Sequence, residues 1–266
     1  MKLRADNLIK TYKKRTVVKG ISVEVNQGEI VGLLGPNGAG KTTSFYMIVG
    51  LVKPNQGNIY LDDLNITDYP MYKRAQQGIG YLAQEASVFR KLSIEDNILS
   101  VLQLTNLSKE AQIAKMESLI EEFSLEHIRT NRGDLLSGGE RRRTEIARAL
   151  ATDPKFILLD EPFAALDAFT RETMQQLVLD LWIEQNKSFF LITHDIEEAL
   201  LLSNQLVLMT ARSGKIVETL KLDFADRYKQ GESIRAIKSD PKFIQLREQL
   251  FERLRVQKQA GHEVAV

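Results

Sequence analysis

The order of apolar and polar positions predicts short strands at the start of the chain. Apolar residues alternate with polar ones at Leu3, Ala5 and Leu8, and again across residues 21–25, which predicts antiparallel strands. A continuous apolar run follows at residues 29–34 and is typical of a strand buried on both faces of a parallel sheet. The chain is therefore expected to pass from an antiparallel region into a buried parallel strand.

Later apolar runs repeat the buried-strand pattern and alternate with helical segments. Strands are predicted at residues 79–82, 156–160 and 189–193, and residues 207–217 resemble a final hairpin that turns at Ser213-Gly214. Alternation of strands and helices indicates an α/β fold with a mostly parallel sheet.

Residues 93 to 126 are predicted to form a helical insert. Ser93 and Ser108 are suitable N-caps, because a serine hydroxyl accepts a hydrogen bond from the first turn of a helix. Apolar residues follow them at helical spacing, and these are Ile94, Ile98, Val101, Leu102, Ile113, Met116, Leu119 and Ile120.

The C-terminal part carries its own helical pattern. Asp240 precedes Pro241, which suits the first position of a helix. One apolar face is predicted to contain Phe243, Leu246, Leu250, Phe251 and Leu254. We expect this helix to dock on the core, and a regulatory or partner-binding tail is the alternative.

Composition limits the classes of protein to which the chain can belong. The 266 residues allow one large α/β domain with a short tail, and 43% hydrophobic residues are enough for a core. The net charge is only +1, so the basic excess of a nucleic-acid-binding protein is missing and no nucleic-acid partner is expected. The charged run at residues 140–143 is expected to be a solvated helix face.

Cysteine is absent, which excludes disulfides and thiolate metal sites. The first residues lack the apolar segment of a signal peptide, and no apolar run approaches the ~18–20 residues that cross a bilayer. We therefore expect any membrane role to depend on a partner.

A glycine-rich segment joins the first buried strand to a helical pattern. Residues Gly35–Thr42 have the form G-x-x-x-x-G-K-T, in which glycines let backbone N–H groups surround phosphates at a helix N-terminus. Lys41 would reach the β- and γ-phosphates, and the Thr42 hydroxyl would bind Mg²⁺. Because the motif lies between a strand and a helix, we expect a functional phosphate-binding loop.

A second apolar strand ends in two carboxylates. Asp160 would hold Mg²⁺, and Glu161 would orient and deprotonate an attacking water. An ordinary strand with a charged end is the alternative, and the phosphate-binding loop makes it improbable.

A capped, glycine-containing helix start lies at Leu136–Glu140. Ser137 and Glu140 are spaced as a capping box, and Gly138 and Gly139 leave N-terminal amides open to an anion. A well-capped helix alone would also explain this pattern. The local sequence does not place this segment beside the phosphate-binding loop.

Three segments resemble, in their order and spacing, the Walker A, signature and Walker B motifs of ABC ATPases. They are Gly35–Thr42, Leu136–Glu140 and Phe156–Glu161. The resemblance covers the whole chain. It implies ATP and Mg²⁺ as cofactors and a head-to-tail homodimer, in which each ATP lies between one subunit's phosphate-binding loop and the other's signature.

The resemblance also implies a P-loop NTPase fold, the ABC nucleotide-binding domain. This domain would occupy residues 1–225, with N-terminal antiparallel strands and a helical subdomain at about 85–150. Residues 226–266 would form the C-terminal helical tail.

Further residues match smaller motifs of the family. Tyr12 would stack on adenine and Val17 would pack beneath the base. The phosphate-binding set would be Asn37, Gly38, Ala39, Gly40, Lys41, Thr42 and Thr43. The signature set would be Ser137, Gly138, Gly139 and Glu140. The Mg²⁺ set would be Thr42, Gln84 and Asp160.

The implied reaction is phosphoryl transfer to water. Gln84 matches the Q-loop glutamine, His194 matches the switch histidine that contacts the γ-phosphate, and residues 165–167 match the D-loop. Lys41 would stabilise charge on the γ-phosphate while Glu161 activates the water.

Two parts of the chain resemble different transporter ATPases. Residues 1 to about 162 are closely similar to lipopolysaccharide-export ATPases of Gram-negative bacteria, and residues from about 165 resemble ATPases of taurine, sulfonate and nitrate importers. The export-like segments are residues 35–47, 84–92 and 136–143. The importer-like segments are residues 166–171, 191–199 and 237–241. A hybrid with a junction near 160–168 is the resulting hypothesis.

The export-like part contains the residues that would meet a membrane partner. In this family the membrane subunits dock around the Q-loop and helical insert, and Phe89 and Arg90 lie there. We therefore expect the ATPase of a lipopolysaccharide exporter, working with two transmembrane subunits at the cytoplasmic face of the inner membrane.

Three alternatives remain. The first is the ATPase of a taurine, sulfonate or nitrate importer. The second is a soluble ABC ATPase of translation or DNA repair, but such proteins have tandem cassettes or a long coiled-coil insertion, and this sequence has neither. The third is a non-hydrolysing nucleotide switch, which Glu161 and His194 argue against.

Overall fold

The chain forms two β-sheets with helices packed around them. A computed structural model describes residues 1–210 and 214–260, with side chains as far as Val256. Within these ranges the strands are β1 Lys2–Tyr12, β2 Arg15–Asn26, β3 Ile30–Leu34, β4 Gln56–Leu61, β5 Leu64–Asn65, β6 Ile79–Leu82, β7 Phe156–Asp160, β8 Ser188–Thr193, β9 Gln205–Met209 and β10 Ile216–Lys221. The helices there are α1 Lys41–Val49, α2 Met71–Gln76, α3 Ile94–Leu102, α4 Lys109–Glu122, α5 Gly138–Leu150, α6 Ala168–Gln185, α7 Ile196–Leu202, α8 Phe224–Lys229, α9 Ile234–Ser239 and α10 Pro241–Ala260. None of these helices combines the length and apolar character needed to cross a bilayer.

The larger sheet has the strand order β10-β9-β3-β8-β7-β6. Neighbouring strands from β9 to β6 run parallel, and β10 pairs antiparallel with β9. The predicted parallel sheet and final hairpin are therefore confirmed, although Ser213 of the predicted turn lies outside the described residues.

Alternate residues of the buried strands face two separate cores. Ile30 and Leu34 of β3 pack into one hydrophobic cluster, whereas Val31 and Leu33 pack into the other. Because both faces of β3 are covered, its sequence is continuously apolar.

The smaller sheet is antiparallel, with the order β2-β1-β4-β5. The antiparallel pairing of β1 and β2 was predicted, but the prediction of short strands is wrong, because these strands have 11 and 12 residues. Their register shifts between Ala5 and Leu8, where Asn7 has a left-handed φ of 49°. Such an irregularity interrupts the period-two pattern from which strand length was predicted.

The helical insert contains α3, α4 and α5. Ser93 and Ser108 cap α3 and α4, as predicted, with hydrogen bonds from Asp96 N–H and Ala111 N–H. The continuous helical stretch is divided by an irregular connection between α3 and α4. The prediction that Ile113 belongs to the apolar face is wrong, because this residue is 53% exposed.

The C-terminal helix α10 docks on the core, as expected. Phe243 and Leu250 are buried, and the Phe243 ring meets Phe224 of α8 edge-on at 5.0 Å between centroids. The prediction that Phe251 belongs to the apolar face of this helix is wrong, because the residue is 55% exposed. It lies about 100° around the helix from Leu250 and therefore turns away from the core.

A buried arginine holds the C-terminal end of α1. Arg74 donates to the carbonyl oxygens of Met47 and Ile48 at 2.9 and 2.5 Å, and to those of Tyr69 and Thr67 at 2.8 and 2.9 Å. Burial lowers the pKa of Arg74 to about 10, which leaves it charged at neutral pH. Its guanidinium thus satisfies carbonyl groups that the end of a helix leaves unpaired.

A buried carboxyl group lies in α7. Glu198 is 3% exposed, and its Oε1 has no hydrogen-bond partner among the described residues. Burial raises the pKa of Glu198 to about 8, and the negative charges of Asp195 and Glu161 act in the same direction. Folding therefore favours the protonated form of this group.

The role of Arg74 can be tested by an Arg74→Ala variant. Loss of the guanidinium leaves several buried carbonyls unpaired, so the free energy of unfolding should fall by about 3 kcal/mol. Urea denaturation measures this change. The exposed neighbour Lys73→Ala is the control and should change stability little. Equal stability of the two variants would contradict the proposed capping role.

The role of Glu198 can be tested by the pH dependence of unfolding. The folded-state pKa lies above the ordinary value of 4.5, so the wild-type chain loses stability as pH rises from about 5 to 8. A Glu198→Gln variant should gain about 1.4 kcal/mol over wild type for each pH unit in this window. Glu121→Gln, on the exposed face of α4, should show no such slope. Parallel curves for wild type and Glu198→Gln would show that Glu198 titrates normally.

Candidate nucleotide site

Four of the predicted site segments meet at one edge of the larger sheet. The strands β3, β8, β7 and β6 are neighbours and run parallel, so their carboxyl ends lie side by side. The phosphate-binding loop follows β3, His194 follows β8, Asp160 ends β7 and Gln84 follows β6. Ligands of open α/β sheets bind at this edge.

The phosphate-binding loop presents open amides. Gly40 precedes α1 with a left-handed φ of 95°, and a Cβ at this position would lie 2.9 Å from the Val17 carbonyl oxygen. No acidic residue occupies the first turn of α1, and no side chain caps it. Backbone N–H groups at a helix N-terminus attract anions, so this loop can cradle phosphates. The predicted set at residues 37–43 lies in the loop and the first turn of α1.

Lys41 is held within the loop itself. Its ammonium donates to the Gly35 carbonyl oxygen at 2.6 Å, and the side chain is buried. Burial lowers the pKa of Lys41, while the charge of Glu161 opposes this shift. The phosphate-binding loop therefore holds the Lys41 ammonium through one of its own carbonyl groups in this structure.

Asp160 has the features of a cation-binding carboxylate. Both carboxylate oxygens are buried and lack a hydrogen bond of normal geometry within the described part of the chain. Burial raises the pKa of Asp160, and the hydroxyls of Tyr46 and Tyr81 and the charge of Arg142 oppose this effect. A buried carboxylate without partners is costly, and a divalent cation with its water would satisfy it. The residues present therefore fit Mg²⁺, with Thr42 and Gln84 exposed toward solvent.

Glu161 and His194 form a pair at the ends of adjacent strands. The backbone of Glu161 has a left-handed φ of 43°, which is strained for a residue with a side chain. This turn brings its Oε2 to 2.7 Å from His194 Nδ1 and 3.2 Å from the His194 backbone nitrogen. The structure therefore joins the two predicted catalytic residues, which lie 33 positions apart in the sequence.

The loop that carries Gln84 is fastened to α5 by charged residues that the sequence analysis did not identify. Arg142 donates to the Ala83 carbonyl at 2.8 Å and pairs with Glu145 at 2.9 Å. Glu145 in turn accepts a hydrogen bond from the Ser87 N–H at 2.6 Å. The expectation of a solvated face at 140–143 is wrong for Arg142, which is only 5% exposed. Arg142 lies four residues before Ile146 and eight before Leu150, which are both buried, and this helical spacing could have revealed it.

The residues assigned to membrane coupling lie on this same loop. Phe89 is 50% exposed, its ring faces the Arg148 guanidinium at 4.9 Å, and Arg90 is exposed beside it. Asn97 holds the loop by accepting from the Phe89 N–H at 2.8 Å and donating to the Phe89 carbonyl at 3.1 Å. The loop thus presents an ordered, partly apolar surface.

Tyr12 and Val17 are the residues predicted to meet adenine. Tyr12 is 45% exposed at the end of β1, with the Lys10 ammonium 5.2 Å from its ring centroid. The Val17 carbonyl lies against Gly40 and also against Gly214, where a Cβ would approach it to 2.0 Å. Val17 is therefore beside the phosphate-binding loop, and adenine stacking by Tyr12 stays a prediction.

The signature segment forms the predicted capping box. Glu140 N–H donates to the Ser137 hydroxyl at 3.3 Å, and Ser137 N–H donates to the Glu140 carboxylate at 2.8 Å. The first turn of α5 lies against the first turn of α6, since a Cβ at Gly139 would come within 2.8 Å of the Thr170 side chain. Among the described residues no hydrogen bond joins this segment to the phosphate-binding loop. The predicted anion-binding starts of α1 and α5 therefore share no hydrogen bond within the described part of one chain.

Comparison with known proteins agrees with this geometry. A family profile described as ABC transporter matches residues 18–164. The lipopolysaccharide export system ATP-binding protein LptB of Haemophilus influenzae is 51% identical over 82% of this chain and 89% of its own length. The protein of that name from Escherichia coli K12 is 52% identical over 74% of this chain and 82% of its own.

Solved structures show the same fold. An ATP-binding cassette of an ABC transporter in its ADP conformation has a TM-score of 0.74 and 26% identity, covering 92% of this chain and 98% of its own. A dimeric cassette in a post-hydrolysis state with ADP and Pi has a TM-score of 0.72 and 29% identity, covering 83% and 98%. The chain belongs to the ABC transporter family, as one of its ATP-binding, ATP-hydrolysing subunits.

Proposed function

We propose that this chain is the ATPase subunit of a lipopolysaccharide exporter. The observation that carries the proposal is its 51% identity to the Haemophilus LptB protein over 82% of the chain. The ordered loop with Phe89 and Arg90 supports it, because these residues offer an exposed surface to a membrane partner. Docking on two transmembrane subunits would hold the chain at the cytoplasmic face of the inner membrane.

The active unit would be a head-to-tail homodimer. Each chain has two helix starts that are predicted to bind anions, at α1 and α5, and no hydrogen bond joins them among the described residues. A second copy would supply the Ser137–Glu140 segment opposite the first copy's phosphate-binding loop. A solved relative is itself dimeric and holds ADP and Pi, which supports this arrangement.

Hydrolysis would use the residues that the strand ends bring together. The amides of the loop and the Lys41 ammonium would bind the phosphates, and His194 would contact the γ-phosphate. Glu161 would accept the proton of the attacking water, and its contact with His194 orients the carboxylate. Mg²⁺, held by Thr42, Gln84 and Asp160, would neutralise phosphate charge.

A second origin for the C-terminal part stays a hypothesis. The segments after residue 165 motivate it, because they resemble importer ATPases. However, the match to the Haemophilus protein covers 220 of the 266 residues, which is more than the first 168 residues or the remainder could supply. The match therefore extends across the suggested junction. Separate comparison of residues 1–162 and 165–266 with both groups would decide between one ancestry and two.

Replacement of Glu161 tests the catalytic assignment. A Glu161→Gln variant keeps the shape of the side chain but cannot take a proton, so ATP turnover should fall at least 100-fold. Nucleotide binding should persist. The matched control is Glu172→Gln on the exposed face of α6, which should keep wild-type turnover. Undiminished turnover of Glu161→Gln would remove Glu161 from the mechanism.

Co-purification tests the transporter assignment. The chain would be co-expressed with the membrane-subunit pair of a lipopolysaccharide exporter and, separately, with that of a sulfonate or nitrate importer. We expect a stable complex and Glu161-dependent turnover with the export pair alone. Assembly only with the importer pair would instead assign the chain to import.

A further inference from the structure

The last helix runs beside the nucleotide site, although the family motifs contain none of its residues. A cavity of about 300 Å³ separates α10 from the phosphate-binding loop, and it is lined by loop residues 35–37, His194 and Phe251. The exposed side of α10 therefore forms a wall next to two parts of the site.

A second cavity continues along the start of α7. It measures about 530 Å³ and is lined by His194, Glu197, Arg247 and again Phe251. Phe251 and His194 thus line both cavities.

Helix α10 is held against the core and against α7. Phe243 and Leu250 anchor the helix in the core. Arg247 pairs with Glu197 at 2.8 Å, and Glu197 lies in the first turn of α7, three residues after His194. This ion pair is partly exposed and contributes little to stability by itself, but it links α10 directly to the first turn of α7.

We propose that Phe251 and Arg247 are positioning residues for hydrolysis, which hold the His194 segment in register with Glu161. The inference rests on the proposed function. His194, which contacts Glu161, lies two residues before α7. Phe251 and Arg247 of α10 line a cavity with His194 and Glu197, and Arg247 pairs with Glu197, so α10 would limit outward movement of the start of α7. The tail would then act on the chemical step as well as covering the core.

The test compares Phe251→Ala with Val256→Ala. Both residues lie on α10 and are 55% and 54% exposed, but Val256 borders a different cavity, beside Val217 of β10. Because small misplacements of a catalytic group are costly, Phe251→Ala should lower the kcat for ATP about tenfold. KM for ATP, the Kd for ADP and the melting temperature should stay near wild type, and Phe251→Tyr should restore kcat.

Arg247→Ala provides an independent measurement. It should also lower kcat without changing KM, while Lys242→Ala, which removes the α10 ion pair with Asp223, should leave both unchanged. The proposal is overturned by an unchanged kcat in Phe251→Ala, by an equal loss in Val256→Ala, or by a loss that appears in ADP affinity or melting temperature. A defect confined to ATP-driven dimerisation would instead make Phe251 a contact with the second copy, which also overturns it.

A wrong proposed function and a wrong positioning role would give different results. If the proposed function is wrong, the wild-type chain has no turnover, or its turnover is unaffected by Glu161→Gln. If only the positioning role is wrong, Glu161-dependent turnover persists and is equal in the wild type and Phe251→Ala.

Discussion

The parallel pairing of β3, β8, β7 and β6 is the constraint on which the candidate site depends. Four chain segments that are far apart in sequence end at one edge because these strands share a direction and neighbour one another. The strands are buried on both faces, so a register shift would expose apolar side chains and is strongly disfavoured. Burial therefore fixes the positions of the loop, Asp160, His194 and Gln84 relative to one another.

The same edge concentrates unfavourable features that a ligand can relieve. Both carboxylate oxygens of Asp160 are buried and lack a hydrogen bond of normal geometry within the described residues, and Glu161 has a strained backbone. Lys41 satisfies its ammonium with a loop carbonyl. We propose that a nucleotide with its cation would supply partners for the Asp160 carboxylate and the Lys41 ammonium.

Local motifs were predictable from the sequence, whereas tertiary contacts were not. The phosphate-binding loop, the Ser137–Glu140 capping box and the buried strands depend on short spacings, and they are where the sequence places them. Burial of Arg74 depends on carbonyls at the end of α1 that no spacing reveals.

Helical periodicity was least informative at the margins of buried faces. It placed Ile113 and Phe251 inside, although both are more than half exposed. The face of a helix that a neighbour covers is set by packing, and a residue at its edge turns outward with a small rotation. For Phe251 this edge position is also what brings the side chain beside His194.

The central claim is that one chain holds half of a nucleotide site and a second copy completes it. A Gly138→Asp substitution allows a direct measurement, because the fold of a single chain should tolerate it. A Cβ at this position would have Leu166 as its nearest neighbour, at 3.8 Å, and an acidic residue is favourable at a helix N-terminus. Light scattering would give the mass of Glu161→Gln, and of the Glu161→Gln, Gly138→Asp double variant, each with ATP and Mg²⁺. The account predicts two chains for the first and one chain for the second, since the new carboxylate would face the partner's phosphates. Dimers of equal stability in both would contradict it.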